Sequence, residues 1–234
     1  MISILILSVF TAALAGTVHQ SGTFVPIAIR ATNGAWIGVR NKSNDSVEMC
    51  DLRVSVQANR ARGTVGRVSG GTIGECDALS AHFILAPSES HFVWIDVPFR
   101  STSQVTFSLR AEVFDAAGNP SAPISLLWHN WTEASVASPG SGMARWEGTT
   151  VTYRNLRWIR ATNSSTSARA ISIDEDAADV ECSSARRFHL VLPGQSLVQG
   201  EVGNRTPERA LNVFEADPET GRCLRVEQMV LRAR

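Results

Sequence analysis

No apolar run in this 234-residue chain reaches the roughly 20 residues that cross a bilayer as a helix, so a polytopic helical membrane protein is excluded. Neither sign of charge is in excess: 22 Lys+Arg stand against 22 Asp+Glu, which removes the electrostatic footprint that a phosphate backbone requires. Nucleic acid is thereby set aside as a partner. Lysine is nearly missing, Lys42 being the single example, and the arginines are dispersed through the chain as a solvated or ion-paired surface rather than a binding stripe.

The chemistry-bearing motifs are missing too. G-x-S-x-G is absent, and the nearest fragment, Gly194-Gln195-Ser196, continues into Leu197-Val198 as a turn feeding a strand. His19, His82, His91, His129 and His189 show no H-x-H or H-E-x-x-H spacing. The glycine-rich stretch Gly63 to Gly74 has no Lys-Ser or Lys-Thr and no following helix, so it reads as a hairpin rather than a phosphate cradle. No pair of cysteines forms C-x-x-C, which argues against zinc and thioredoxin-like redox sites. No cofactor is implied.

What is present begins with an address. Met1 to Gly16 has a short apolar core ending in Ala13-Leu14-Ala15, the small-x-small pattern of a signal peptide, with cleavage placed after Ala15. No transmembrane span remains after that cut, and the expected location is secreted or periplasmic. Cys50, Cys76, Cys182 and Cys223 fit the oxidising compartment that such a leader implies, and four cysteines allow three connectivities.

Internal similarity narrows those three. Ile29-Arg30-Ala31-Thr32-Asn33 recurs at Ile159 to Asn163, Cys76 to Pro87 aligns without gaps on Cys182 to Pro193, and Val113 to Ala116 matches Val213 to Ala216 in the same order. Three ordered blocks predict an internal duplication. Bonding within each half then selects Cys50–Cys76 and Cys182–Cys223, each loop contributing about 3.5–4 kcal/mol by chain entropy. The Pro-, Gly- and Ser-rich stretch 134–142 separates residues 16–133 from residues 143–234 as a linker between two domains.

Short β-branched or alternating runs recur along the chain: 24–29, 47–56, 82–85, 92–97, 105–113, 188–192 and 224–231. No long amphipathic helix appears. The expected fold is all-β: two tandem immunoglobulin-like β-sandwich domains with one disulfide each, the alternative being one larger β structure whose halves share a core. In size and in this two-sandwich plan the chain resembles periplasmic pilus chaperones. It lacks their long alternating donor run flanked by basic anchors and is not assigned to them.

Two constellations remain as candidate sites. Trp128, Asn130, Trp131, Arg145 and Trp146 gather around the predicted junction, where indoles stack on sugar rings while Asn and Arg bond their hydroxyls. The competing reading is core packing, which also claims Trp36, Trp94 and Trp158. Asp174, Asp176 and Asp179, beside Glu175 and Glu181, offer hard oxygen ligands to Ca²⁺ or form a solvated acidic turn. Asn41, Asn44, Asn130, Asn163 and Asn204 head glycosylation sequons. The sequence therefore supports an exported, non-enzymatic interaction module with a protein or glycan partner. A glycan-binding module on Trp128, Trp131 and Trp146 is the first alternative, and a hydrolase with carboxylates converging from distant loops is the second.

Overall fold

The computed structural model describes residues 22–59, 65–68, 72–73, 76, 81–96, 104–115, 117–129, 131–132, 146–174, 182, 188–200 and 209–232. Within them the chain is all-β. The first half contributes β1 (Phe24–Arg30), β2 (Gly34–Asn41), β3 (Val47–Asn59), β4 (Val65–Val68), β5 (Thr72–Ile73), β6 (Phe83–Leu85), β7 (Ser90–Asp96), β8 (Gln104–Phe114) and β9 (Ile124–Trp128). The second contributes β10 (Trp146–Tyr153), β11 (Leu156–Asn163), β12 (Arg169–Asp174), β13 (His189–Val191), β14 (Ser196–Gly200), β15 (Arg209–Ala216) and β16 (Cys223–Arg232). The glycine-rich stretch supplies β4 and β5, each pairing antiparallel with β3. Disulfides join Cys50 to Cys76 and Cys182 to Cys223, the expected pairing.

A three-stranded sheet runs β1-β2-β7, and a second runs β13-β12-β15-β16-β10-β11-β14-β6-β3-β8-β9. The larger sheet passes from one half to the other where β14 meets β6 at Gln199 and Phe83. Strand periodicity assigns the layers, because alternate residues face opposite sides. In the small sheet Phe24, Ala28, Ala35, Ile37, Val39, Val93 and Ile95 face the first core against Met49, Val54, Phe107 and Leu109. The residues between them, Ile27, Ile29, Trp36 and Phe92, face the other way into a core with Leu190, Phe214 and Ala216 of the second half. This sheet is buried on both faces, which is why β2 reads as a nearly continuous apolar run. A third core lies within the second half around Ile159, Ile171, Val213 and Met229. A fourth joins Trp158 and Val198 to Ile84 of the first half. The two halves therefore share buried surface in both directions.

The segments linking strands repeat one construction. Asn41 and Asn163 are both fully buried. Asn41 Nδ2 donates to the carbonyls of Asp45 (2.8 Å) and Leu85 (2.9 Å), and its Oδ1 accepts from Ser43 N and Oγ. Asn163 Nδ2 donates to the carbonyls of Ser167 and Val191, both at 2.9 Å, and its Oδ1 accepts from Ser165 N and Oγ. Each asparagine's backbone carbonyl also accepts an amide from a left-handed residue, Ser88 (φ 66°) or Gly194 (φ 73°). A short side chain with two donors and an acceptor satisfies a crossing strand and a turn at once.

The repeated pentapeptide does not share this correspondence. Ile29 and Arg30 end β1 and Ala31 to Asn33 form the turn after it, whereas Ile159 to Asn163 lie within β11. The residues standing where Trp158-Ile159 and Asn163-x-Ser165 stand are Trp36-Ile37 and Asn41-x-Ser43. The third block is offset by two: Phe114 pairs with Glu48 where Ala216 pairs with Ala170.

Candidate functional site

The tryptophans come first. Trp128 ends β9 and stacks on Phe107 at 5.2 Å between ring centroids, while Trp131 meets the same ring edge-on at 4.9 Å, both packing against the first core. Trp146 opens β10 and packs against the third core. In the large sheet β11, β14, β6, β3 and β8 stand between β10 and β9, so the structure brings Trp128 and Trp131 together and leaves Trp146 apart. Asn130, Arg145, Asp176 and Asp179 lie outside the described residues, as does the side chain of Asp174. Among the described residues no group of three His, Cys, Asp or Glu side chains gathers to hold a metal. The Asn41 and Asn163 sequons are spent on internal hydrogen bonds, while Asn44 is exposed.

A polar cluster that sequence reasoning missed lies where the halves meet. Glu48, second residue of β3, is fully buried. Arg154 Nε donates to its Oε2 at 2.7 Å, with Nη2 on the same oxygen, and His82 Nδ1 lies 2.7 Å from Oε1. The other imidazole nitrogen is 3.0 Å from the Cys76 carbonyl, so both ring nitrogens are engaged and neither is left for proton transfer to a substrate. Arg154 reaches Glu48 from the two-residue turn between β10 and β11, where Arg154 (φ 51°) and Asn155 (φ 59°) are both left-handed, as a tight hairpin turn of primed type demands. Its guanidinium lies on Gly118 (φ 87°), and any side chain there would collide with it. Sequence spacing gave no trace of this cluster, because its members come from three remote segments.

Beside the cluster opens a cleft of about 460 Å³, lined by Thr23, Phe24, Ser43, Asp45, Ser46, Val47, Val113, Phe114, Asp115, Ser121 and Tyr153. Its lining combines polar and acidic residues with aliphatic and aromatic ones. Asp115 caps a turn, accepting Asn119 N at 2.8 Å and Asn119 Nδ2 at 3.3 Å; those bonds hold its carboxyl below the usual aspartate range, so it is ionised. Burial and the nearby Glu48 carboxylate push the Tyr153 phenol up, keeping it protonated. The phenol oxygen is enclosed and has no hydrogen-bond partner among the described residues.

The comparisons with known proteins are sparse. No family model and no curated protein matches the chain. Among solved structures it is similar to the CsuC–CsuE chaperone–tip adhesion subunit pre-assembly complex from archaic chaperone-usher Csu pili of Acinetobacter baumannii, at 10% identity and a TM-score of 0.29, over 90% of this chain and 98% of that one. It is also similar to red sea bream transglutaminase, at 13% identity and a TM-score of 0.28, over 91% of this chain and 32% of that one. Scores this low carry neither fold nor function across.

Proposed function

We propose that the protein is an exported interaction module of the cell surface, periplasm or extracellular space, derived by duplication of an immunoglobulin-like sandwich, and that it meets a protein partner along the edge of β9. The observation that carries this reading is the edge itself. β9 closes the large sheet, and among the described residues no strand pairs with its outer side. Leu127 stands outward on it at 68% exposure, an apolar side chain on an edge strand, and strand addition gives both the outer backbone groups and the side chain a partner. The repeated asparagine turn and the repeated strand order support duplication. Two disulfides fit an oxidising compartment and, with the leader-like residues 1–15, support export. Packing of Trp128 and Trp131 on Phe107, with Trp146 in another core, favours a protein partner over a sugar stacked on all three.

Replacing Leu127 by photoreactive benzoylphenylalanine in the native host, beside the same replacement at Leu156 on the second half, tests the reading. A discrete adduct from position 127 alone, mapped by mass spectrometry to an extended segment of one partner, is expected. No adduct, or the same adducts from both positions, refutes it.

A further inference from the structure

The cleft beside Tyr153 has a counterpart in the second half that is already filled. Val47 pairs with Leu85, whose carbonyl Asn41 holds, and Arg169 pairs with Val191, whose carbonyl Asn163 holds, so Val47 and Arg169 occupy the same place in the construction. Val113 faces Met49 where Glu215 faces Ile171. Ser121 donates its amide to Val113 on the side where Arg225 meets Glu215. In the second half these positions hold an ion trio around the buried Glu215 and Arg169: Arg169 Nη1 is 2.9 Å from Glu215 Oε1, the partly exposed Arg225 has Nε 2.7 Å from Oε2, and Arg169 Nε points to Ser165 Oγ at 3.4 Å. In the first half two valines and a serine leave the space open, while Ser43, the counterpart of Ser165, still lines it.

We propose that this cleft receives an arginine side chain presented by the protein partner, in the place that Arg169 fills from within the second half. The inference rests on the interaction-module reading and names what the partner brings. A guanidinium carries five donors and no acceptor. The cleft is its complement: the Asp45 and Asp115 carboxylates and the Ser43 and Ser121 hydroxyls accept, and no Lys, Arg or His is among the lining residues. Arg154, which lies by the Tyr153 ring, is committed to Glu48. Phe24, Val47 and Phe114 form an apolar wall for the three methylenes of an arginine stem. The volume falls within the range of small-ligand sites and suits one side chain with its flanking peptide.

Tyr153 is the only tyrosine in the chain, so protein labelled with 3-fluorotyrosine gives a single ¹⁹F resonance that reports the cleft. The full oxidised protein is titrated with blocked Gly-Arg-Gly, with the isosteric, uncharged citrulline peptide, and with the lysine peptide. The expected result is a saturable shift from the arginine peptide at roughly millimolar concentration, no response to citrulline, and a weaker response to lysine. Asp45→Asn, an exposed position, weakens the arginine response about tenfold, and Val47→Arg abolishes it by supplying the occupant in cis. No shift with arginine, an equal shift with citrulline, or a response that neither variant alters overturns the proposal. None of these outcomes touches the crosslink from Leu127, so the site and the interaction reading fail separately.

Discussion

Asn41 and Asn163 build the same turn with the same hydrogen bonds, yet beside one lies an open cleft and beside the other a closed trio of charges. The difference shows that the backbone frame is set by the asparagine and its serine, while the space next to the frame is free to be filled or left vacant. The largest expected effect tests the filled side. Glu215→Gln leaves the buried Arg169 without its carboxylate and costs about 3–5 kcal/mol in denaturant unfolding. The triple variant Arg169→Val, Glu215→Val, Arg225→Ser copies the first half and recovers most of that loss, because an apolar replacement of a buried ion group is often close to neutral. Failure of the triple variant to recover stability shows that the trio does more than occupy space.

The next test is of the frame. Asn41→Ala and Asn163→Ala each strand one buried and one part-buried carbonyl and free a serine, a loss of about 1–3 kcal/mol apiece by the same unfolding measurement. Unequal losses would show that the two turns are alike in geometry but not in weight.

A smaller, pH-dependent effect lies at the meeting of the halves. His91 stacks on Phe83 at 3.8 Å and sits 4.8 Å from His189, and burial with that second imidazole holds it well below the usual histidine range. The unfolded chain takes up this proton near pH 6.5 and the folded chain does not, so stability falls as pH drops below that value, by up to about 1.4 kcal/mol per pH unit until the folded group protonates. His91→Leu, which places there the residue found at the corresponding Leu197, flattens this part of the profile, as urea midpoints across pH will show.

The smallest effect has the opposite sign. Glu89 accepts hydrogen bonds from Ser196, as Gln195 accepts from Ser90 N at 3.2 Å, so the two loops exchange contacts. Burial raises the Glu89 carboxyl. The folded state then holds the proton more tightly than the unfolded state. Stability is lost as pH rises from the ordinary glutamate value through the raised one. Glu89→Gln removes that loss, leaving neutral-pH stability unchanged or improved by less than about 1 kcal/mol; a decrease above 1 kcal/mol shows that the charge facing Arg160 is needed.

The strands were legible because alternation and β-branching report burial directly: β3, β7, β8 and β16 begin and end within a few residues of the runs that announce them. The disulfides followed from the Cys-to-Pro spacing shared by the two halves. Identity over five residues misled, since Ile29 to Asn33 repeats letters and not position, whereas the correspondence that holds, Trp-Ile-x-x-x-Asn-x-Ser, was hidden inside two apparent sequons. The Glu48 cluster and the cleft were illegible for a different reason. Their residues come from segments remote in sequence, with Arg154 and Tyr153 added from the second half, and no local pattern encodes that convergence.

The doubly buried small sheet also sets a timetable for synthesis. Trp36 donates its indole N–H to the Pro218 carbonyl at 2.7 Å, across 182 positions of sequence. At roughly 5–20 residues per second, Trp36 and Phe92 emerge from the ribosome with one face uncovered, and Trp36 waits about 10–40 s for its partner. Contacts this distant in sequence make folding slow and the nascent first half adhesive. The chain therefore has reason to stay unfolded, or to be shielded, until its C-terminal strands have been made.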